Sequence, residues 1–379
     1  MNMLIISPNV GRTAPGIVFE KLIEGLSKIH SVDLITSDFH SSNLRTANKI
    51  TIVPKLNLHP RLFKLFISIF GVCPTDRIWE RKVLYRLGKC DIKKYDLIFS
   101  FVSFHHYTAL FLGEKLRRYG PKWAVYSVDA IPAPIGWSKN DAYYRSVKRI
   151  VSKKLSKAQY YFAANEEMLM YQLTTFDSEK LVYKGVVFNP NGGRLIELKT
   201  PYSFESYTFL YTGGIYGVRN PKYLLQAFRK LLKQYPNSTL EFVGTSLDNS
   251  LFKDFSDFER RKIMLHPFTR DLIPYYERAT ALLDIDSELE DDVFLSSKMV
   301  NYLTINRLII SETGNNSPSR KLFSGIASII QCNHDSDMIA KAMKKAIEDG
   351  PSADFRDREE IISKFGIDRI VTELTQRVS

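Results

Sequence analysis

Short apolar runs alternate with amphipathic segments along this chain, and glycine marks the junctions between them. The clearest junction is Leu210–Leu225, LYTGGIYGVRNPKYLL. A hydrophobic run, Tyr207–Tyr211, reaches Thr212-Gly213-Gly214, and a helix is expected to open near Asn220-Pro221. Glycine serves where a backbone must approach a ligand closely or take φ > 0. Proline suits a first helical turn, where its missing N–H costs nothing. The free N–H groups of such a turn, with Arg219 beside them, suit an anion. An ordinary strand–turn–helix unit would read the same way at this point. A second segment, Leu295–Ser311, LSSKMVNYLTINRLIIS, puts Lys298 near the start of another helix and leads into a further strand.

The amino terminus follows the same plan. Met3–Ser7 reads as a buried strand, Pro8–Gly16 as a loop holding Gly11 and Gly16, Ile17–Ile29 as a helix and Val32–Thr36 as the next strand. That succession opens a doubly wound α/β domain. The loop lacks G-x-G-x-x-G, so a dinucleotide fingerprint is absent. Asp96–Phe101, DLIFSF, has apolar character without a period, as a parallel strand covered on both faces does, and Trp123–Val128 reads as the next strand. They run into Val102-Ser103-Phe104-His105-His106 and into Asp129. Open α/β sheets bind ligands outside the carboxyl ends of their strands. His105, His106 and Asp129 are therefore the candidate catalytic residues of this half. The plainer alternative has one histidine capping the next helix and Asp129 beginning a turn. Asn189-Pro190-Asn191-Gly192-Gly193 is rich in turn formers and marks a boundary. Beyond it the plan repeats, with Asn220–Gln234 and Asp271–Arg278 as helices and Thr239–Val243, Ile263–Leu265 and Ala281–Ile285 as strands. The expected architecture is α/β, with two Rossmann-like doubly wound domains facing across a cleft. The first spans residues 1–190, a linker 191–206, the second 207–356, and a C-terminal helix lies in 357–379. That helix either crosses back to the first domain or packs locally.

Charge separates the halves. The first 196 residues carry 29 Lys and Arg against 15 Asp and Glu, the remainder 24 against 26, giving the net +12. A basic half suits an anionic membrane surface or nucleic acid, although no nucleic-acid module is recognisable. Two segments add to the membrane reading. In Pro60–Gly71, PRLFKLFISIFG, Arg61, Lys64 and Ser68 fall at helical spacing among large apolar residues. In Arg77–Lys89, RIWERKVLYRLGK, Trp79, Val83 and Leu87 mark one face, with Arg77, Arg81, Lys82, Arg86 and Lys89 around it. A basic amphipathic helix with aromatic residues can lie in a membrane interface, and equally can cover its own sheet. Cys73, Cys90 and Cys332 are too scattered for a disulfide framework or metal site, which fits a reducing cytoplasm. MNMLIISPNVG reads as a first strand rather than a leader, and no run of about 18 apolar residues suggests a membrane span.

The two segments that opened this reading resemble the donor half of retaining GT-B glycosyltransferases of bacterial polysaccharide and lipopolysaccharide synthesis. The family pattern G-G-x-x-x-x-R-N/K-x-x-x-L-L-x-A is met by Gly213-Gly214, Arg219-Asn220, Leu224-Leu225 and Ala227. P-S-K-x-x-E-Y-L-A-x-G-x-P-V-I is read in Ser296–Ile310, with Ser296 for its first proline, Asn301 in the place of the ribose-holding glutamate, Asn306 or Arg307 for its glycine and Leu308 for its second proline. The resemblance implies that Gly213, Gly214, Arg219, Ser297, Lys298 and Asn301 bind a nucleotide-sugar, which is a donor substrate, with no cofactor and no metal. It implies front-face transfer without a protein nucleophile. It also implies a lipid-linked or glycan acceptor met by the first half, at the inner face of the cell membrane. Asp284-Ile285-Asp286 has the spelling of a metal-binding D-x-D, but at a strand end it reads as structural. Two other functions remain open at this stage. One is a nucleotide-sugar epimerase of the same fold, and the other a non-catalytic GT-B-like partner, for which Asn301 is the best support.

Overall fold

A computed structural model describes all 379 residues except 42, 43, 45, 46, 89–91, 105 and 200–205, and the side chain of Pro351. His105, Cys90 and part of the expected linker therefore lie outside the described residues. The chain divides into two units, Met1–Pro190 with Phe365–Ser379, and Asn191–Lys364.

In the first unit, the described residues form one parallel sheet from β1 (Asn2–Val10), β2 (Ser31–Phe39), β3 (Lys49–Ile52), β4 (Leu97–Val102), β5 (Lys122–Ser127), β6 (Tyr160–Ala163) and β7 (Tyr183–Val186). Their order is β3-β2-β1-β4-β5-β6-β7. The β4 and β5 side chains are buried on both faces, apart from the half-buried Lys122, because helices cover the sheet. The order reverses between β1 and β4, so their carboxyl ends open a crevice. β1 continues to Val10, and the helix Ala14–Ile29 begins earlier than expected, with Thr13 accepting from the Gly16 N–H. Gly16 thus belongs to the first helical turn, not to the loop. A Cβ there would stand 2.5 Å from Asn9 Oδ1.

The last helix, Ile367–Val378, is part of this unit. Its Ile370, Val371, Leu374 and Val378 join a core with Phe19, Leu22, Phe99 and Phe101. His30 Nε2 meets Thr375 Oγ1 at 2.8 Å, and Lys122 Nζ donates to the Ser379 carbonyl at 2.7 Å. Glu359–Lys364, expected in the same terminal helix, is a separate short helix of the second unit.

The two basic aromatic helices behave differently from one another. In Pro74–Leu87, Trp79 and Val83 are buried, and Trp79 Nε1 donates to the Val53 carbonyl at 2.6 Å. The apolar face marked by Trp79 and Val83 covers the unit's own fold, which corrects its membrane reading. Pro60–Phe70 instead buries Ile67 and leaves Leu62, Leu65, Ile69 and Phe70 exposed, the last two at 61% and 67%. It packs on the helix Ala142–Leu155, which exposes Arg145, Lys148 and Arg149.

In the second unit the sheet runs β10-β9-β8-β11-β12-β13, all parallel. The strands are β8 (Thr208–Thr212), β9 (Thr239–Val243), β10 (Ile263–His266), β11 (Ala281–Ile285), β12 (Leu308–Glu312) and β13 (Ile329–Cys332). Phe209, Tyr211, Leu224, Phe228, Leu283 and Met343 anchor its core. The switch in strand order falls between β8 and β11, so the Gly213 turn and the Asp284–Asp286 segment leave the sheet side by side.

Candidate functional site

Gly213 leaves β8 with φ +89, and its N–H donates to the Val243 carbonyl at 2.8 Å. A Cβ on Gly213 would lie 3.8 Å from Lys298 Cε, so the turn passes directly beside that lysine. The loop then returns along the segment after β11. Arg219 forms an antiparallel bridge with Ser287, and Glu288 N–H donates to the Val218 carbonyl at 3.2 Å. This pairing sets the half-buried Arg219 opposite Ser287, the residue after Asp286, and the Asp286 charge acts on it.

Lys298 opens the helix Ser297–Tyr302 and is 9% exposed. It is not a solvated surface lysine. Its Nζ lies 3.6 Å from Asp284 Oδ1 and 3.4 Å from Ser296 Oγ, and it stands over the Tyr211 ring at 4.7 Å. Ser296 occupies the N-cap position but makes no cap bond. Its hydroxyl donates instead to Asp284 Oδ1 at 2.8 Å. The helix is fixed to the turn by Tyr302, whose hydroxyl accepts from the Thr212 N–H at 2.8 Å. Tyr302 is fully buried, so this tie holds Lys298 against the end of β8.

Taking charges out of water disfavours each of them unless partners compensate. Burial, reinforced by Arg219, lowers Lys298 to about 8, against the pull of Asp284. Burial and the Asp284 charge push Asp286 up to about 7. Burial opposes the Arg219 charge, but Asp286 and Asp284 more than offset it, so Arg219 stays cationic. Behind this set, Glu312 at the end of β12 is buried, and His334 bonds both its Oε1 at 2.9 Å and the Ser287 carbonyl at 2.8 Å. Burial works against the charge on His334, and Glu312 outweighs it.

The structure therefore brings together Gly213, Gly214, Arg219 and Lys298 from the sequence candidates. The Tyr211 hydroxyl donates to the Gly214 carbonyl at 3.1 Å. Ser297 and Asn301 are exposed on the helix surface, outside the buried cluster. Sequence reasoning did not single out Tyr302, Glu312 or His334, and it read Asp284 and Asp286 as structural. The D-x-D spelling at the switch point was the available signal. Among the described residues, no group of three or more His, Cys, Asp and Glu could hold a metal ion.

In the first unit, the carboxyl ends of β4 and β5 are joined by Asp129, whose Oδ2 accepts from the Phe104 N–H at 3.1 Å. Ser103 and His106 exchange backbone hydrogen bonds at 2.9 and 3.1 Å, closing the turn that carries Phe104. Burial raises the Asp129 carboxyl, against the Phe104 bond. The N-cap of the helix Ala109–Leu116 is Thr108, not a histidine.

No family model matches this sequence, and no curated protein matches it. Solved structures match along its whole length. Anabaena HepE in complex with UDP aligns over 99% of each chain with a TM-score of 0.71 at 13% identity. The apo lipopolysaccharide outer core galactosyltransferase WaaB aligns over 100% of this chain and 99% of its own, with a TM-score of 0.66 at 13% identity. An Escherichia coli trehalose-6-phosphate structure bound with UDP-2-fluoro glucose covers 100% and 99%, with a TM-score of 0.65 at 11% identity. The chain has the GT-B fold, built from two parallel-sheet α/β units.

Proposed function

We propose that this protein is a retaining glycosyltransferase that moves a sugar from a nucleotide-sugar donor to a lipid-linked or glycan acceptor. The observation that carries the reading is the pair of cations, Lys298 and Arg219, held at the switch point of the second sheet beside the Gly213 turn. Cleaving the donor's glycosidic bond develops negative charge on the departing diphosphate, and fixed cations stabilise that charge without reorganising. Gly213 and Gly214 let backbone approach the phosphates. Two of the solved structures sharing the fold hold UDP or a UDP-sugar analogue, which supports the donor class. Retention and the absence of a protein nucleophile rest on the motif resemblance. Asp129 with His106, and His105 outside the described residues, are assigned to the acceptor side. Asn301 keeps a second reading alive, a GT-B-like protein without transfer.

A thermal-shift panel of UDP, GDP, ADP, TDP and CMP separates the two. A nucleotide at about 100 times its dissociation constant stabilises the fold by about 2.7 kcal/mol. Transfer predicts one responding diphosphate, and silence across the panel rejects the donor site.

Membrane contact is assigned to the Pro60–Phe70 helix, on the strength of its exposed Leu62, Leu65, Ile69 and Phe70 and of the exposed Arg145, Lys148 and Arg149 on the helix it packs against. Among the described residues, no helix is long and apolar enough to cross a membrane. Vesicles of phosphatidylethanolamine and phosphatidylglycerol should carry the protein upward on flotation at low salt. Replacing Leu65 and Phe70 together by serine should weaken partitioning onto these vesicles by about 100-fold, since each exposed apolar side chain contributes of order 1.5 kcal/mol on burial. Binding that ignores both the substitution and added salt rules this surface out.

A further inference from the structure

The inference here rests on the donor reading of the second unit and concerns the acidic pair beneath the cations. Asp284 and Asp286 are 1% and 0% exposed. Asp284 Oδ1 accepts from Ser296 Oγ at 2.8 Å and lies 3.6 Å from Lys298 Nζ. Asp284 Oδ2, although buried, has no hydrogen-bond partner among the described residues. Asp286 Oδ1 accepts from the Ser287 N–H at 3.0 Å, and its Oδ2 accepts from Thr313 Oγ1 at 3.3 Å. Other charged or titratable groups face the pair from every side. Arg219 and Tyr216 come from the loop after β8 and Tyr211 from β8 itself. Asp292 and Glu288 come from the segment after β11, Lys298 from its helix, and Glu312 with His334 from the end of β12.

The two cations are already faced by the buried carboxyls of Asp284, Asp286, Asp292 and Glu312. A nucleoside diphosphate adds at least two negative charges to this set, and uncompensated charge away from water is strongly disfavoured. We propose that Asp284 and Asp286 are the resident counter-ions of Lys298 and Arg219, displaced electrostatically when a nucleoside diphosphate binds, and that Asp286 takes up a proton from solvent as it loses its cation. The protons come from the buffer acid: the larger share ends on an Asp286 carboxylate oxygen, and a smaller share completes the Lys298 ammonium. Both carboxylates act as positioning residues. They keep two cations charged and aimed in the empty site, then give them up. The Asp286 carboxyl, already raised to about 7 by burial and Asp284, is the group most ready to accept the proton.

The complex holds more protons than the free components, so affinity is greatest below about pH 7 and falls as pH rises through that value. Loss of the Lys298 charge near pH 8 adds a second fall.

The test is titration calorimetry of UDP into the full chain at pH 7.5, in phosphate and in Tris, with wild type and Asp286→Asn. Wild type should take up about one proton per UDP, read from the dependence of binding enthalpy on buffer ionisation enthalpy. Its affinity should fall about tenfold between pH 6.5 and 8. Asp286→Asn should bind UDP with about a quarter of that uptake and an affinity loss of about twofold over the same range. UDP binding without buffer dependence, or equal uptake in both proteins, overturns the proposal and leaves the donor reading standing. Silence of UDP, GDP, ADP and TDP alike removes the donor reading and the proposal together. The wild-type buffer series decides the proton count even if the variant does not fold.

Discussion

Replacing Lys298 by alanine should lower the rate of sugar transfer by about 10²–10³-fold, the cost of removing one fixed donor from a preorganised site for developing negative charge. The size of the effect depends on burial. An exposed lysine is screened by water and salt, whereas Lys298 is 9% exposed and held over the Tyr211 ring. Its substitution leaves the Asp284 carboxylate with Ser296 as its remaining hydrogen-bond donor. Ser296 still holds that carboxylate, so the fold should survive while donor binding weakens. Lys298→Arg should restore part of the rate, because charge returns but the wider guanidinium does not fit the same space beside Gly213. The assay is initial-rate transfer with the nucleotide-sugar matched to the responding diphosphate, alongside melting temperatures. A wild-type rate in a folded Lys298→Ala protein would remove Lys298 from the chemistry.

Much of the fold was readable because parallel strands covered on both faces are apolar without interruption. Leu97–Val102 and Trp123–Ser127 announce themselves in that way. β3 did not, since Lys49–Ile52 is a short, half-exposed edge strand with no continuous apolar run. The Gly213 turn and Lys298 were visible as motif positions, but motif spelling says nothing of burial, and burial is what changes Lys298 from a surface charge into a constrained one. The surroundings of the acidic pair were hidden for the same reason. Asp284-Ile285-Asp286 reads as polar residues at a strand end, and only the return of the Arg219 loop onto Ser287 shows what they face. Amphipathic pattern misled in a different way. Both Pro60–Phe70 and Pro74–Leu87 have an apolar face, but pattern alone does not say which one the sheet recruits. Trp79 goes inward because its indole N–H finds the Val53 carbonyl, while the stripe on the neighbouring helix is left outside.

Arg358 should prove the most costly single truncation in the second unit, with Arg358→Ala losing about 3–5 kcal/mol, as when a buried, fully bonded charge is removed. Its guanidinium is fully buried and donates to the carbonyls of Ile305, Arg307 and Ser328 and to Ser328 Oγ, at 2.6–3.0 Å. Asp357 completes the network by accepting from the Ser328 N–H at 2.7 Å and from its hydroxyl at 2.6 Å. One side chain thus closes the entries to β12 and β13, and truncation leaves three buried carbonyls without it. Arg358→Lys should rescue little, since one ammonium cannot reproduce a planar fork bonded to several acceptors. The readout can be separated by unit, because the three tryptophans, Trp79, Trp123 and Trp137, all lie in the first. Urea denaturation followed by far-ultraviolet circular dichroism should show an early loss of structure in Arg358→Ala, while tryptophan fluorescence keeps a later transition. An unmoved dichroism curve would show that the network is dispensable. Because Ile305 and Arg307 directly follow the helix that carries Lys298, the same variant should also lose its nucleotide response before the first unit unfolds.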